Sequence, residues 1–176
     1  NFKSICYFPC DFEMFDQLLD KLNFFDLCVT YNEYSRNAVL KHRPELRKKL
    51  KVIPHGINLD EFYPIGRSEI EEFRDQYFGD NAKKFIVLNL NRNQPRKDIP
   101  CTIFAFASFL RVQPDAFLYL HMHPNDPKGW DLRLVCMQLG LEEGVHYMFP
   151  PEGDKDGHGT SVEDLNKIYN ACDVYV

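Results

Sequence analysis

The sequence predicts a doubly wound α/β protein, and three observations predict it. Short β-branched or aromatic runs alternate with helical apolar patterns along the chain. The joins between them are short. The stretch Phe85 to Leu90 passes through polar Asn91 to Asp98 into an apolar helical pattern from Ile99 to Leu110. That is a buried strand, a basic loop and a helix, the first half of a βαβ unit with an expected right-handed crossover.

The elements follow in order. Residues 2–9 read as a strand stopped by Pro9. Phe12, Phe15, Leu18, Leu19 and Leu22 recur at helical spacing, so a helix is expected over about 12–22. Asp26 to Thr30 is a strand, Tyr31 to His42 leads into a helix, and Pro44 breaks it before a single turn over 45–50. Lys51 to Ile53 is a third strand, closed by Pro54-His-Gly56, where Gly56 serves as a tight turn or a hinge. Residues 54–64 show little periodicity and read as a connection between domains. Ser68 and Glu71 have capping-box spacing, and the helix they open ends at Gly79.

After strand 85–90, Asp98 is the expected cap of the next helix and Pro100 suits its first turn. Ile99, Ile103, Phe106 and Leu110 share one face, which Phe104 and Phe109 widen. A strand over 116–121, a helix over 131–139 stopped by Gly140, and a strand over 145–149 follow. Residues 152–160 form a glycine-rich charged loop. A helix over 162–170 turns Leu165, Ile168 and Tyr169 inward, and Asp173 to Val176 begins another strand.

With 176 residues, the chain can make one good-sized domain or parts of two. Its 44% hydrophobic and 27% charged content is that of a globular protein. The net charge of -5 lacks the basic footprint of a nucleic-acid binder, so no nucleic acid is expected as partner. The six cysteines include no Cys-x-x-Cys pair, and four lie in or beside apolar runs, as buried free thiols do. No run reaches the roughly 18 apolar residues of a membrane span. No signal peptide is visible, and a cytoplasmic location is expected, with room for peripheral membrane association. The chain opens at Asn1 without Met and stops at Val176 inside an apolar run, so it reads as an internal fragment.

Ligands of open parallel sheets sit beyond the carboxyl ends of the strands, where Arg92, Arg96 and Lys97 fall. A helix start supplies unpaired N–H groups there, so the loop suits an anion, phosphate first. Arg92 can fork onto phosphate oxygens and Lys97 adds a point charge. A solvated charged loop is the competing reading. No Gly-x-Gly-x-x-Gly and no P-loop follows the strand. His121 and His123 with Asp126 make a weak metal candidate, better read as a polar strand-end loop. Asp154 to Gly159 hints at calcium, but Leu165 stands where an EF-hand needs its bidentate Glu. His158 and Asp11 are further candidates for the cleft, and Asp11 equally suits a helix cap.

Three segments in order carry a resemblance. Val52-Ile-Pro-His-Gly-Ile-Asn to Phe62-Tyr-Pro64, Asn91-Arg92 to Lys97-Asp98, and Leu165-x-x-x-Tyr-Asn-Ala-Cys-Asp-Val-Tyr-Val176 resemble the retaining GT-B glycosyltransferases of family 4, the "glycosyl transferases group 1". The resemblance implies a GT-B fold of two Rossmann-like, doubly wound domains. Residues 1–55 would end the acceptor-side domain, 56–82 would be linker and helix, and 83–176 would begin the nucleotide-sugar-binding domain. It also implies that Asn91, Arg92 and Lys97 bind the donor diphosphate, and that Arg92 and Lys97 stabilise the leaving nucleotide.

By the same resemblance the donor is a UDP-, GDP- or ADP-sugar, and the acceptor a glycan, lipid or small molecule. The ends near Met148 to Pro151 would approach the base. No metal and no separate cofactor is implied, and the catalytic carboxylates would lie outside this stretch, leaving it inactive by itself. Asn91 and Asp98 replace two glycines of the family pattern. A non-catalytic binding module and a GT-B nucleotide-sugar epimerase are the alternatives.

Overall fold

A computed structural model describes residues 2–10, 16–150 and 159–176. The chain divides into two compact units, residues 1–57 and 58–176.

The first unit holds a three-stranded parallel sheet in the order β1-β2-β3, made of Ile5–Tyr7, Leu27–Thr30 and Leu50–Val52. Helix α1 is described over Asp16–Asp20 and runs into a 3-10 turn, Lys21–Phe24. The expected helical residues Phe12 and Phe15, and Asp11, lie outside the described residues. Helix α2 spans Glu33–His42 and starts where the Asn32 side chain accepts from the Ser35 amide at 2.7 Å. Leu19, Leu22, Cys28, Val39, Leu46 and Leu50 pack into the core of this unit.

The second unit opens with α3, Arg67–Phe78, followed by β4, Phe85–Asn89. Then come α4, Ile99–Phe109, and β5, Ala116–Leu120. After them stand α5, Leu132–Gln138, β6, Tyr147–Met148, α6, Val162–Ala171, and β7, Val174–Tyr175. The strands are parallel in the order β6-β5-β4-β7. The chain therefore winds outward from β4 through β5 to β6, then returns to lay β7 on the other side of β4. That reversal is a topological switch point.

Strand alternation divides the side chains between two cores. Val87, Leu118 and Leu120 face α4 and α5, meeting Ile99, Ile103, Phe106, Leu132 and Cys136. Ile86, Leu88, Phe117 and Tyr119 face α3 and α6, meeting Phe78, Ile168 and Ala171. Every residue of β5 is buried, so this sheet is covered on both faces. Helix α3, read from the sequence as part of the connection, thus contributes one of the two layers of the second unit.

Four sequence expectations are corrected. The capping box at Ser68 does not form: the helix starts earlier, with Gly66 at its N-cap and no side-chain cap, and Glu71 pairs with Arg67 at 2.7 Å. Asp98 stands at the N-cap of α4, but its side chain makes no cap hydrogen bond. Its backbone is left-handed, with φ 44°, so the carboxylate is not aimed at the helix amides. Phe104 points to solvent, because α4 needs only its narrow Ile99–Ile103–Phe106 stripe.

Tyr169 is also partly exposed, and Asn166 is buried in its place. The Asn166 side-chain oxygen accepts from the Tyr63 amide, and the Asn170 oxygen accepts from the Ile65 amide at 3.0 Å. These two amides hold the extended backbone before α3 against α6.

The Asp173 carboxylate accepts from the Ile86 amide at 2.7 Å and pairs with Arg74. Arg74 also donates to the carbonyls of Ala82 and Lys84. One carboxylate thus ties α3, the start of β4 and the approach to β7 together.

Candidate functional site

Strand β4 ends at Asn89, and Asn91 and Asn93 follow at alternate positions in the loop. Asn91 Nδ2 donates to Asn89 Oδ1 at 2.9 Å, and Asn89 Nδ2 donates to Thr102 Oγ1 at 3.0 Å. Side-chain amides therefore fasten the loop back onto its strand and onto α4. Asn91 is engaged in this tether.

Asn93 is fully buried and clamps the loop that follows β5. Its Nδ2 donates to the carbonyls of Pro124, at 3.1 Å, and Trp130, at 2.7 Å. Its Oδ1 accepts from the Trp130 amide at 3.0 Å. Gly129 lies so close that a Cβ there would collide with the Asn93 carbonyl and side chain. Neither residue was singled out in the sequence. The signal was present in the Asn-x-Asn-x-Asn alternation, but an asparagine in a loop reads first as a turn residue.

The clamp sets Arg92. Its Nε donates to Asp126 Oδ2 at 3.1 Å. Asp126 is the shielded partner, with a side chain 12% exposed against 66% for Arg92. The second oxygen of Asp126 accepts from the Lys128 amide at 2.9 Å. That amide, and then the Arg92 guanidinium, hold the Asp126 carboxyl below the ordinary carboxylate range.

Lys97 closes the short 3-10 turn Pro95–Lys97 and is exposed, as is Arg96. It borders a cavity of about 550 Å³ lined also by Phe85, Val87, Phe106, Phe109 and Val174. Arg92 is thus drawn to the β5 side of the β4 end and Lys97 stands on the β7 side.

The left-handed Asp98 sits where the family pattern has glycine, and it lets the chain turn from Lys97 into α4. Its carbonyl accepts the first amide of the helix, from Cys101, at 2.9 Å.

His121, His123 and Asp126 do not converge. His121 Nδ1 lies 2.6 Å from the Tyr119 hydroxyl, which is itself 2.6 Å from the Tyr77 hydroxyl. Its Nε2 lies 3.0 Å from Thr160 Oγ1. Burial pushes the Tyr119 phenol far up, so it stays protonated within this chain. His123 Nδ1 accepts from the Asn125 amide instead. Among the described residues, no group of three or more His, Cys, Asp or Glu side chains could hold a metal ion. The loop from Asp154, with His158, and Pro151 lie outside the described residues.

Cys6, Cys28, Cys101, Cys136 and Cys172 are free thiols, and Cys10, Cys28 and Cys136 are buried. Burial pushes the Cys136 thiol up to about 11 and the Cys172 thiol up to about 12, so neither is a nucleophile near neutral pH. Among the described residues, no helix is long and apolar enough to cross a membrane.

No protein-family model matches the chain. A curated protein described as a probable sucrose-phosphate synthase, from Thermosipho melanesiensis, is 26% identical over 140 residues, covering 80% of this chain and 28% of that protein. Among solved structures, Anabaena HepE in complex with UDP and glucose aligns over 97% of this chain and 45% of its own, with 22% identity and a TM-score of 0.65. WaaG, a glycosyltransferase involved in lipopolysaccharide biosynthesis, aligns over 99% of this chain and 51% of its own, with 13% identity and a TM-score of 0.60. The chain spans about a quarter of the curated relative and about half of each solved structure. The chain has the parallel α/β fold of about half of these GT-B structures.

Proposed function

We propose that the chain is part of a retaining glycosyltransferase that moves a sugar from a nucleotide-diphosphate sugar to an acceptor hydroxyl. The observation that carries this is the loop Asn91–Asp98. It leaves β4 at the switch point, with Arg92 on one flank and Lys97 on the other.

A diphosphate between them would meet a guanidinium fork, a point charge and the open start of α4. As the glycosidic bond breaks, negative charge builds on the β-phosphate. Fixed cations there stabilise the transition state more than the ground state. In this reading residues 1–55 belong to the acceptor side, 56–82 connect, and 83–176 carry the donor.

HepE is also solved with UDP-glucose, which makes a uridine donor the first to test, with GDP- and ADP-sugars beside it. The acceptor is a glycan, a lipid or a small molecule, and the enzyme works in the cytoplasm. A GT-B module that binds a nucleotide sugar without transferring it would show the same donor shift with no acceptor product.

The test is a thermal-shift screen of UDP-, GDP- and ADP-sugars against the full-length protein, with wild type beside Arg92→Ala. One nucleotide class should stabilise the wild type, and the variant should lose the shift. Its donor kcat/KM should fall by about 1.5–3 kcal/mol of charge-assisted hydrogen bonding. An unchanged kcat/KM would remove Arg92 from the site.

A further inference from the structure

Arg92 and Asp126 come from different strand-end loops, 34 residues apart, and meet through one particular edge of the guanidinium. We propose that Asp126 is a positioning residue: it grips Arg92 at Nε and so presents the two Nη groups to a nucleotide diphosphate. This rests on the reading of Arg92 as a phosphate ligand and adds the device that aims it.

Four features carry the inference. The contact uses Nε, leaving the Nη fork with no protein partner among the described residues. The carboxylate is itself fixed, because its other oxygen holds the Lys128 amide. The loop that bears it is locked by Asn93, the residue next to Arg92, so both ends of the pair are tied to one clamp. Exposure is asymmetric: the carboxylate is shielded and the guanidinium open, as expected where one partner aims and the other binds.

A guanidinium is planar, so fixing one nitrogen fixes the direction of the fork. A long flexible cation would lose rotamer entropy on binding, and holding it beforehand lowers that cost.

An alternative role is opposite in sign. If Asp126 only neutralised Arg92, removing the carboxylate would tighten anion binding. If it positions Arg92, removal loosens binding although the site becomes more positive.

The experiment measures UDP affinity by titration calorimetry on the protein. It compares wild type, Asp126→Ala, Asp126→Asn, Arg92→Ala and the double variant Arg92→Ala/Asp126→Ala, each with a melting curve. Asp126→Ala should weaken UDP about tenfold through loss of an aligned charge-assisted contact, and Asp126→Asn, which keeps one acceptor oxygen, should fall between. The double variant should bind no more weakly than Arg92→Ala alone.

Tighter or unchanged UDP binding in Asp126→Ala, with Arg92→Ala weakened, overturns the positioning role and leaves the phosphate reading standing. A further loss in the double variant shows that Asp126 acts on the loop and not through Arg92, and also overturns it. Equal UDP binding by wild type and Arg92→Ala, or none by either, removes the phosphate reading, and the positioning role falls with it.

Discussion

Lys49 in the first unit and Lys97 in the second are used in opposite ways. In the first, Lys49 turns its ammonium inward and donates to three carbonyls, those of Leu22, Asn23 and Phe25, at 3.0, 3.1 and 3.0 Å. Those carbonyls end a 3-10 turn that has no further helix to satisfy them. In the second, Lys97 also closes a 3-10 turn but stands exposed beside the β4 end. The same side chain serves as a cap in one place and as an unspent charge in the other. The difference lies in what surrounds the loop. Around the β4 end, side-chain amides from Asn89, Asn91 and Asn93 already satisfy the backbone and each other. Neutral groups do most of the holding there, which leaves Lys97 and the Nη groups of Arg92 open to a ligand.

Removing that neutral scaffold should have the largest effect. Asn93→Ala leaves the Trp130 amide and carbonyl without their Asn93 partner and takes one of two donors from the Pro124 carbonyl, and should cost about 3 kcal/mol of stability, read from the urea midpoint. A loss below about 0.5 kcal/mol would mean that water replaces the clamp.

The two lysines can then be compared directly. Lys49→Met should destabilise the protein by about 1–2 kcal/mol by taking the ammonium donor from three carbonyls, of which Leu22 keeps the Phe25 amide, with little change in nucleotide affinity. Lys97→Met should leave the melting temperature within the range of surface substitutions, about 0.5 kcal/mol, and weaken nucleotide binding. Equal stability losses would erase the contrast.

Asp98→Gly tests whether the left-handed turn carries strain. Glycine accepts that conformation freely, so the folded state should gain about 0.5–1 kcal/mol, less the added entropy of the unfolded chain. A destabilised variant would show that the Asp98 side chain has a structural role of its own.

The smallest effect concerns acid. Asp26 in the first unit and Asp126 in the second both have carboxyls held low, and in each the leading cause is a backbone amide, from Ser4 and Lys128 respectively. A depressed folded-state pKa adds stability above the ordinary carboxylate range, and that stability is lost as pH falls through the depressed value. Asp26→Asn and Asp126→Asn should therefore melt lower than wild type at neutral pH, with the gap closing below the usual carboxylate range. A gap independent of pH would assign the loss to shape and not to charge.

Much of this was legible in the sequence because it is local. Strand β4, the loop after it and α4 follow from an apolar run, polar turn residues and a 3.6-residue period within one short stretch. Gly79 and Gly140 mark real helix ends with positive φ, since only local backbone geometry is at stake there. Ser68 misled because a capping box also needs the right backbone before it, and Gly66 supplies the start instead. Tyr169 and Asn166 exchanged places because the partner of α6 is extended backbone at Tyr63 and Ile65, which asks for amides and not rings.

By itself, then, the sequence determined the alternation of strands and helices, the position of the basic loop at a strand end, and a resemblance carried by three ordered motifs. Tertiary structure alone decided the sheet order that puts a switch point beside β4. It also decided the burial of Asn93 and the partnership of Arg92 with Asp126. Those contacts join residues tens of positions apart. No pattern of period two or 3.6 encodes them, because they depend on which loops two packed strands bring together.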